Sequence, residues 1–136
     1  MRDIDMSYEL NEKEFDNVIK LGPEERYNYF VKKVCDWKEV WSIGDSEGWA
    51  LLGDNQERES APVWLAKRYA EAYCTGEWAG KQPKVIPLDD WMVKWIPGMI
   101  ADNRYVAVFP TQTGKGIVVH PQQLMDSLKE ELENYE

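Results

Sequence analysis

The sequence predicts an α+β fold: a mixed, largely antiparallel five- or six-stranded sheet with helices packed on it. Three observations lead there. Apolar residues recur at i, i+3, i+4 in several separate stretches, the period of a helix with one buried face. Short runs rich in Val, Ile and Trp, bounded by Gly, Pro or Asp, lie between them and read as strands. The two kinds of segment are interleaved, so the helices are expected to cover the sheet. At 136 residues the chain is expected to form a single domain over 1–136, with one core and no need of covalent staples.

Taken in order, residues 1–10 are expected to be loosely ordered. Asn11 with Glu14 gives a capping-box-like start. Phe15, Val18 and Ile19 then set a short helix over about 12–20, ended by Leu21-Gly22. Pro23 opens the next helix where a missing N–H costs nothing, with Glu24 and Glu25 in the favourable first turn. Its buried face is Tyr27, Phe30, Val31, Val34 and Cys35. Val40–Ile43 and Trp49–Leu52, separated by a Gly/Asp/Ser turn, predict a hairpin over 40–52. The stretch 53–60 is a polar loop, carrying Asp54, Glu57 and Glu59 as solvated charges, and Ala61–Trp64 is the next strand.

A helix follows with Ala66, Tyr69, Ala70, Tyr73 and Cys74 on one face. It has no Ser, Thr, Asp or Asn to cap it, so its first N–H groups lack an obvious partner. Residues 75–83 form a loop carrying Trp78, and Lys84–Ile86 a short strand. From Leu88 to Ile100, Leu88, Trp91, Met92, Trp95, Ile96, Met99 and Ile100 keep helical spacing, with Pro97 predicting a kink or two abutting helices. Tyr105–Phe109 is apolar at every position, as in a strand covered on both faces. Thr111–Gly116 is a loop, and Ile117–Val119 an antiparallel partner strand. Pro121 starts a last helix with Leu124, Met125, Leu128, Leu132 and Tyr135 inward.

The formal net charge of −9 argues against nonspecific nucleic-acid or anionic-membrane binding, both of which need a basic footprint. It favours a basic partner instead. The acid gathers near the ends. Residues 1–16 hold six acids against Arg2 and Lys13, and residues 122–136 hold five against Lys129. No apolar run reaches the roughly 20 residues of a membrane span, and the N-terminus has no signal-peptide core, so a cytoplasmic location is expected. A monomer or small homo-oligomer is expected.

Little of the sequence carries chemistry. His120 is the one histidine, and before Pro121 it reads as a helix-start residue. Cys35 and Cys74 lie on predicted core faces and form no disulfide framework; a nucleophile–base pair on His120 would need Ser, Thr or Cys beside it, and Cys74–His120 is one such pair. Gly114-Lys115-Gly116 fails as a phosphate loop: Phe109 stands where the first Gly belongs, and Gly116 where Ser or Thr should bind magnesium. Asp89-Asp90 reads as a first-turn dipole pair. No metal spacing, cofactor motif or catalytic residue is assigned. Trp37, Trp41, Trp91 and Trp95 read as core. Trp64, at a strand end, and Trp78, in a Gly-bounded loop, are better placed for recognition. The candidate binding set is therefore Trp64, Tyr69, Trp78, Phe109 and His120.

Several pieces, in order, resemble an uncharacterised bacterial family carrying domain-of-unknown-function label 2750. They are Glu25-Arg26-Tyr27-x-Tyr29-Phe30, Val40-Trp41, Pro62-Val63-Trp64 with Tyr69-Ala70, Trp78, Ile86-Pro87-Leu88, Trp95 to Pro97, and Val106 to Pro110. They span about 14–132. Members often carry Pro-His after the Pro-x-Trp, where this chain has Leu65-Ala66, so an enzymatic reading loses ground. The layout also loosely resembles the SseB-like arrangement, a likeness of fold that carries no function. The leading expectation is a non-enzymatic, acidic, cytoplasmic binding module for a protein or peptide, immunity-protein-like in one concrete form. The alternatives are a small-ligand binder or enzyme with a pocket near Trp64, Trp78, Phe109 and His120, and a structural or assembly module.

Overall fold

A computed structural model describes residues 12–46, 48–53, 58–111 and 116–134. The expected loose ordering of 1–10, the Asn11 cap, the charges Asp54 and Glu57, the Gly114-Lys115 turn and the inward Tyr135 lie outside the described residues.

Helix α1 (Glu12–Ile19) buries Phe15 and Val18, and α2 (Pro23–Trp37) buries the whole predicted face from Tyr27 to Cys35. The Gly22 N–H donates to the Glu25 side chain, and Lys38 ends α2 in the left-handed region. Strand β1 (Glu39–Asp45) turns into β2 (Gly48–Trp49). A Cβ on Gly44 would sit 2.6 Å from the Gly48 carbonyl, so only glycine permits this tight return. The chain then forms β3 (Leu52–Gly53) and β4 (Glu59–Val63), followed by α3 (Lys67–Tyr73) and a 3₁₀ turn (Gly76–Trp78). Next come β5 (Gln82–Pro87), α4 (Leu88–Asp90), a π-helical turn (Trp91–Trp95) and α5 (Ile96–Ala101). Strands β6 (Tyr105–Val108) and β7 (Ile117–Val119) and helix α6 (Pro121–Glu133) complete the order.

The fold is α+β and mixed, but the strands do not make one five- or six-stranded sheet. Among the described residues, seven strands form two sheets, ordered β2-β1-β5 and β3-β4-β6-β7. All pairings are antiparallel except β4 with β6. The sheets meet where Trp41 and Trp64 exchange both backbone hydrogen bonds, at 2.9 and 2.8 Å. Beside them the Ser42 hydroxyl donates to the Pro62 carbonyl at 2.6 Å. The predicted hairpin strand Trp49–Leu52 is thus split. Trp49 pairs with β1, and Leu52 pairs with Ser60 of the other sheet. Strand β6 lies between β4 and β7, and α2 and α6 pack against it, in keeping with its unbroken apolar run.

The expected break at Pro97 is a widening. The Ile96 N–H reaches the Trp91 carbonyl, one residue further back than an α-helix allows. Pro97 has no N–H for Val93 and crowds its carbonyl, and the wider turn absorbs both. Helix α6 packs on α2 and α5, and α3 on β5. One cluster of buried side chains, including Val40, Ile43, Val63, Trp64, Trp91 and Phe109, draws on both sheets. Among the described residues no helix is long and apolar enough to cross a membrane.

Candidate functional site

Three of the five candidate residues line one concavity. Trp64, Tyr69 and Phe109 line a cavity of about 100 Å³ whose other walls include Phe15, Ile19 and Tyr73. Trp78 stands outside it, half-buried, with its ring stacked on Tyr73 at 6.5 Å. Trp64 and Phe109 are fully buried and Tyr69 nearly so, so they are walls and offer no exposed aromatic surface. The rings meet at mixed angles. Tyr69 stacks on Phe15 at 5.1 Å and meets Phe109 edge-on at 5.0 Å, and Trp64 is tilted against Tyr73 at 5.2 Å.

The sequence places these walls through three local devices. Trp64 follows β4, and its indole N–H donates to the Pro110 carbonyl at 2.8 Å, fixing the ring. Phe109 leaves β6 with φ +58, a conformation unfavourable to a bulky residue. It is held there by its own N–H on the Val63 carbonyl at 2.9 Å and by the buried Arg26, whose Nε donates to the Phe109 carbonyl at 3.1 Å. Arg26 also donates to the Leu21 carbonyl, which ties the end of α1 to the same point. Burial lowers its pKa, yet a guanidinium stays charged. Finally, Arg68 forks onto Glu12 at 3.0 and 3.3 Å and lies 3.9 Å over the Phe15 ring, pinning α1 across α3.

Tyr69 and the two cysteines are held in their neutral forms. Burial pushes the Tyr69 phenol well above its usual range, with Tyr29 and Glu14 adding to it. Its hydroxyl is buried and has no hydrogen-bond partner among the described residues. Burial pushes the Cys35 thiol up to about 11 and also raises Cys74, so both stay protonated near neutrality, unlike nucleophilic thiolates. His120 takes no part in the cavity. It is the N-cap of α6, its Nδ1 accepting from the Gln122 N–H at 3.0 Å, and its ring meets Tyr105 edge-on. Asp90, in the first turn as expected, pairs with Lys94 at 3.8 Å. Among the described residues no group of three His, Cys, Asp or Glu could hold a metal ion.

A second concavity escaped the sequence reading. An open groove of about 500 Å³ runs between Trp49, Leu51 and Ala61 on one side and Trp95 and Met99 on the other, with Lys94, Asp102 and Arg104 at its rim. An aromatic ladder leads into it from the core. Buried Trp91 stacks on half-buried Trp95 at 5.8 Å, and Trp95 meets exposed Trp49 edge-on at 4.5 Å. The Lys84 ammonium closes the series, 5.2 Å over the Trp49 ring. The rim cations are engaged by the chain's own carboxylates: Arg104 with Glu59 and Asp102, and Lys94 with Asp90. The signals that could have found this groove were Pro97, just after the π turn, and Trp49 directly after a turn glycine.

The molecule defined by these features is an acidic, tryptophan-rich α+β protein with an aromatic cavity and an open tryptophan groove. Residues 27–128 match the sequence model of a family described as Protein of unknown function (DUF2750), and the chain belongs to that family. The match begins after α1, so the cavity walls Phe15 and Ile19 precede the matched stretch. No curated protein and no solved structure is detectably similar to the chain.

Proposed function

We propose that this protein is a non-enzymatic, cytoplasmic binding module for a protein or peptide segment, and that the Trp49–Trp95 groove is its contact surface. One observation carries the reading: Trp49, a large aromatic residue 39% exposed, stands at the mouth of an open groove and is braced from behind by Trp95 and Trp91. Rigid aromatic side chains with a packed base are the usual anchors of recognition surfaces. The groove's size suits one or two side chains of a docking segment. Its cations already have carboxylate partners and the chain carries −9 overall, so a segment with an apolar anchor and basic flanks fits better than an acidic one. The carbon-rich cavity, the protonated thiols and the capping role of His120 support a non-enzymatic reading over the alternative of an enzyme at Trp64, Trp78, Phe109 and His120.

A displayed random-peptide library selected on the purified protein tests this. Enriched peptides should share an apolar or aromatic residue flanked by Lys or Arg. Their affinity should fall at least about tenfold for Trp49→Ala and for Trp95→Ala, the loss typical of an interface anchor, and stay unchanged for Trp78→Ala. No enrichment, or enriched peptides indifferent to both groove variants, would remove the proposal. Self-association that disappears in Trp49→Ala would reassign the groove to a second copy of the chain, the assembly alternative.

A further inference from the structure

We infer that the aromatic cavity under α1 is a second binding site, one that takes a single planar apolar ring of about benzene size. Protein interiors are close-packed, and few of their voids exceed a water molecule. A partly open pocket of about 100 Å³ walled by Phe15, Ile19, Trp64, Tyr69, Tyr73 and Phe109 is more space than such packing leaves. Its lining is almost wholly carbon, and the Trp64 N–H beside it is already satisfied by Pro110, so water gains little there. An apolar cavity of about 150 Å³ stays dry and binds benzene, so a single flat ring is the largest guest that a space of about 100 Å³ would take. The walls offer both ring faces and ring edges, since Tyr69 stacks on Phe15 but meets Phe109 edge-on. An aromatic guest finds complementary edge-to-face contacts in such a box, and a saturated one does not.

The cavity is also held open by construction. Phe109 keeps its ring in the wall only by adopting φ +58, a strained choice for a non-glycine residue. Two hydrogen bonds, to Val63 and from buried Arg26, maintain it. On the other side α1 is fixed by the Glu12–Arg68 fork and the Phe15–Tyr69 stack, so the walls are kept from collapsing inward. This site is independent of the peptide groove and shares no lining residue with it.

The test is a titration of the full chain with benzene, followed by methyl-resolved NMR and thermal unfolding. The expected result is saturable shifts confined to Ile19, Ala72 and Thr111, with a rise in Tm that grows with benzene concentration. Ala72→Leu, which fills the space from α3, should abolish both, and Ile19→Phe, which fills it from α1, should do the same if the first variant does not fold. Trp49→Ala should leave both intact. Cyclohexane should produce smaller shifts than benzene at equal concentration. A parallel arm with N-acetyl-phenylalanine amide distinguishes a free ring from one carried on a chain, and binding of either supports the site. Failure of both to saturate, shifts centred on the Trp49 groove, or benzene binding that survives in a folded filling variant would overturn it.

Discussion

Tyr69 and Arg26 both bury polar atoms, with opposite outcomes, and they invite direct measurement. Tyr69 buries a hydroxyl with no partner among the described residues, a net cost. Tyr69→Phe is therefore expected to stabilise the protein by about 1 kcal/mol in chemical denaturation. Arg26 is the reverse case. Its guanidinium serves the carbonyls of Phe109 and Leu21, and removing it strands both. Arg26→Met should cost about 2–4 kcal/mol, read as a lower denaturant midpoint.

Proton linkage adds a pH window at the same scale. Burial raises the phenols of Tyr29 and Tyr69 well above their ordinary value, Tyr29 also through its hydrogen bond to Glu14, and raises Cys35 to about 11. Above an unfolded-state pKa the unfolded chain releases protons that the folded chain retains, so stability falls as pH rises. The contribution is intact below about pH 8.5 and is lost as pH climbs past about 9 for the thiol and about 10 for the phenols. Denaturant midpoints should be level up to that point and then drop. The drop should be shallower in the Tyr29→Phe, Tyr69→Phe double variant.

At the scale of elements, the helical faces were legible because their period is enforced by burial. Tyr27, Phe30, Val31, Val34 and Cys35 all came inside, as did Leu124 and Leu128. His120 was legible as a helix-start residue from Pro121 alone. The region 88–101 was only half legible. Trp91 and Trp95 share a helical face, yet the π turn leaves Trp91 buried and sets Trp95 at the groove wall, while Ile100 stays 37% exposed. Spacing cannot report a change in residues per turn. Pro97→Ala restores an N–H for Val93, and the π turn is then expected to tighten toward α. The Trp91–Trp95–Trp49 stack would shift with it, giving a changed near-ultraviolet circular dichroism with little change in helix content. An unchanged aromatic signal would show that packing, not the proline, sets the π turn.

For the whole molecule, the partition into two sheets was not legible. The run Trp49–Leu52 is apolar throughout, with no turn residue to mark where the chain changes sheets. Trp49 pairs with β1 and Leu52 with β4, and no residue type between them marks the switch. The candidate site was legible in part for a similar reason. Trp64, Tyr69 and Phe109 were named, but their burial depends on α1 closing over them, and the Trp49–Trp95 contact spans most of a sheet and a helix. The joint between the sheets rests on the Trp41–Trp64 backbone pair and on Ser42. Ser42→Ala leaves the Pro62 carbonyl without that donor and should cost about 1–2 kcal/mol. Amide exchange at Trp41 and Trp64 should accelerate more in this variant than exchange at Val106 or Val108.

That joint has a mechanical meaning. Trp49 belongs to one sheet and Ala61 to the other, and both face the groove. The tryptophan groove therefore spans the seam between the two sheets, and a ligand held there would touch both at once. Its width is set by how the sheets meet at Trp41 and Trp64, so a substitution at that joint would also reshape the groove.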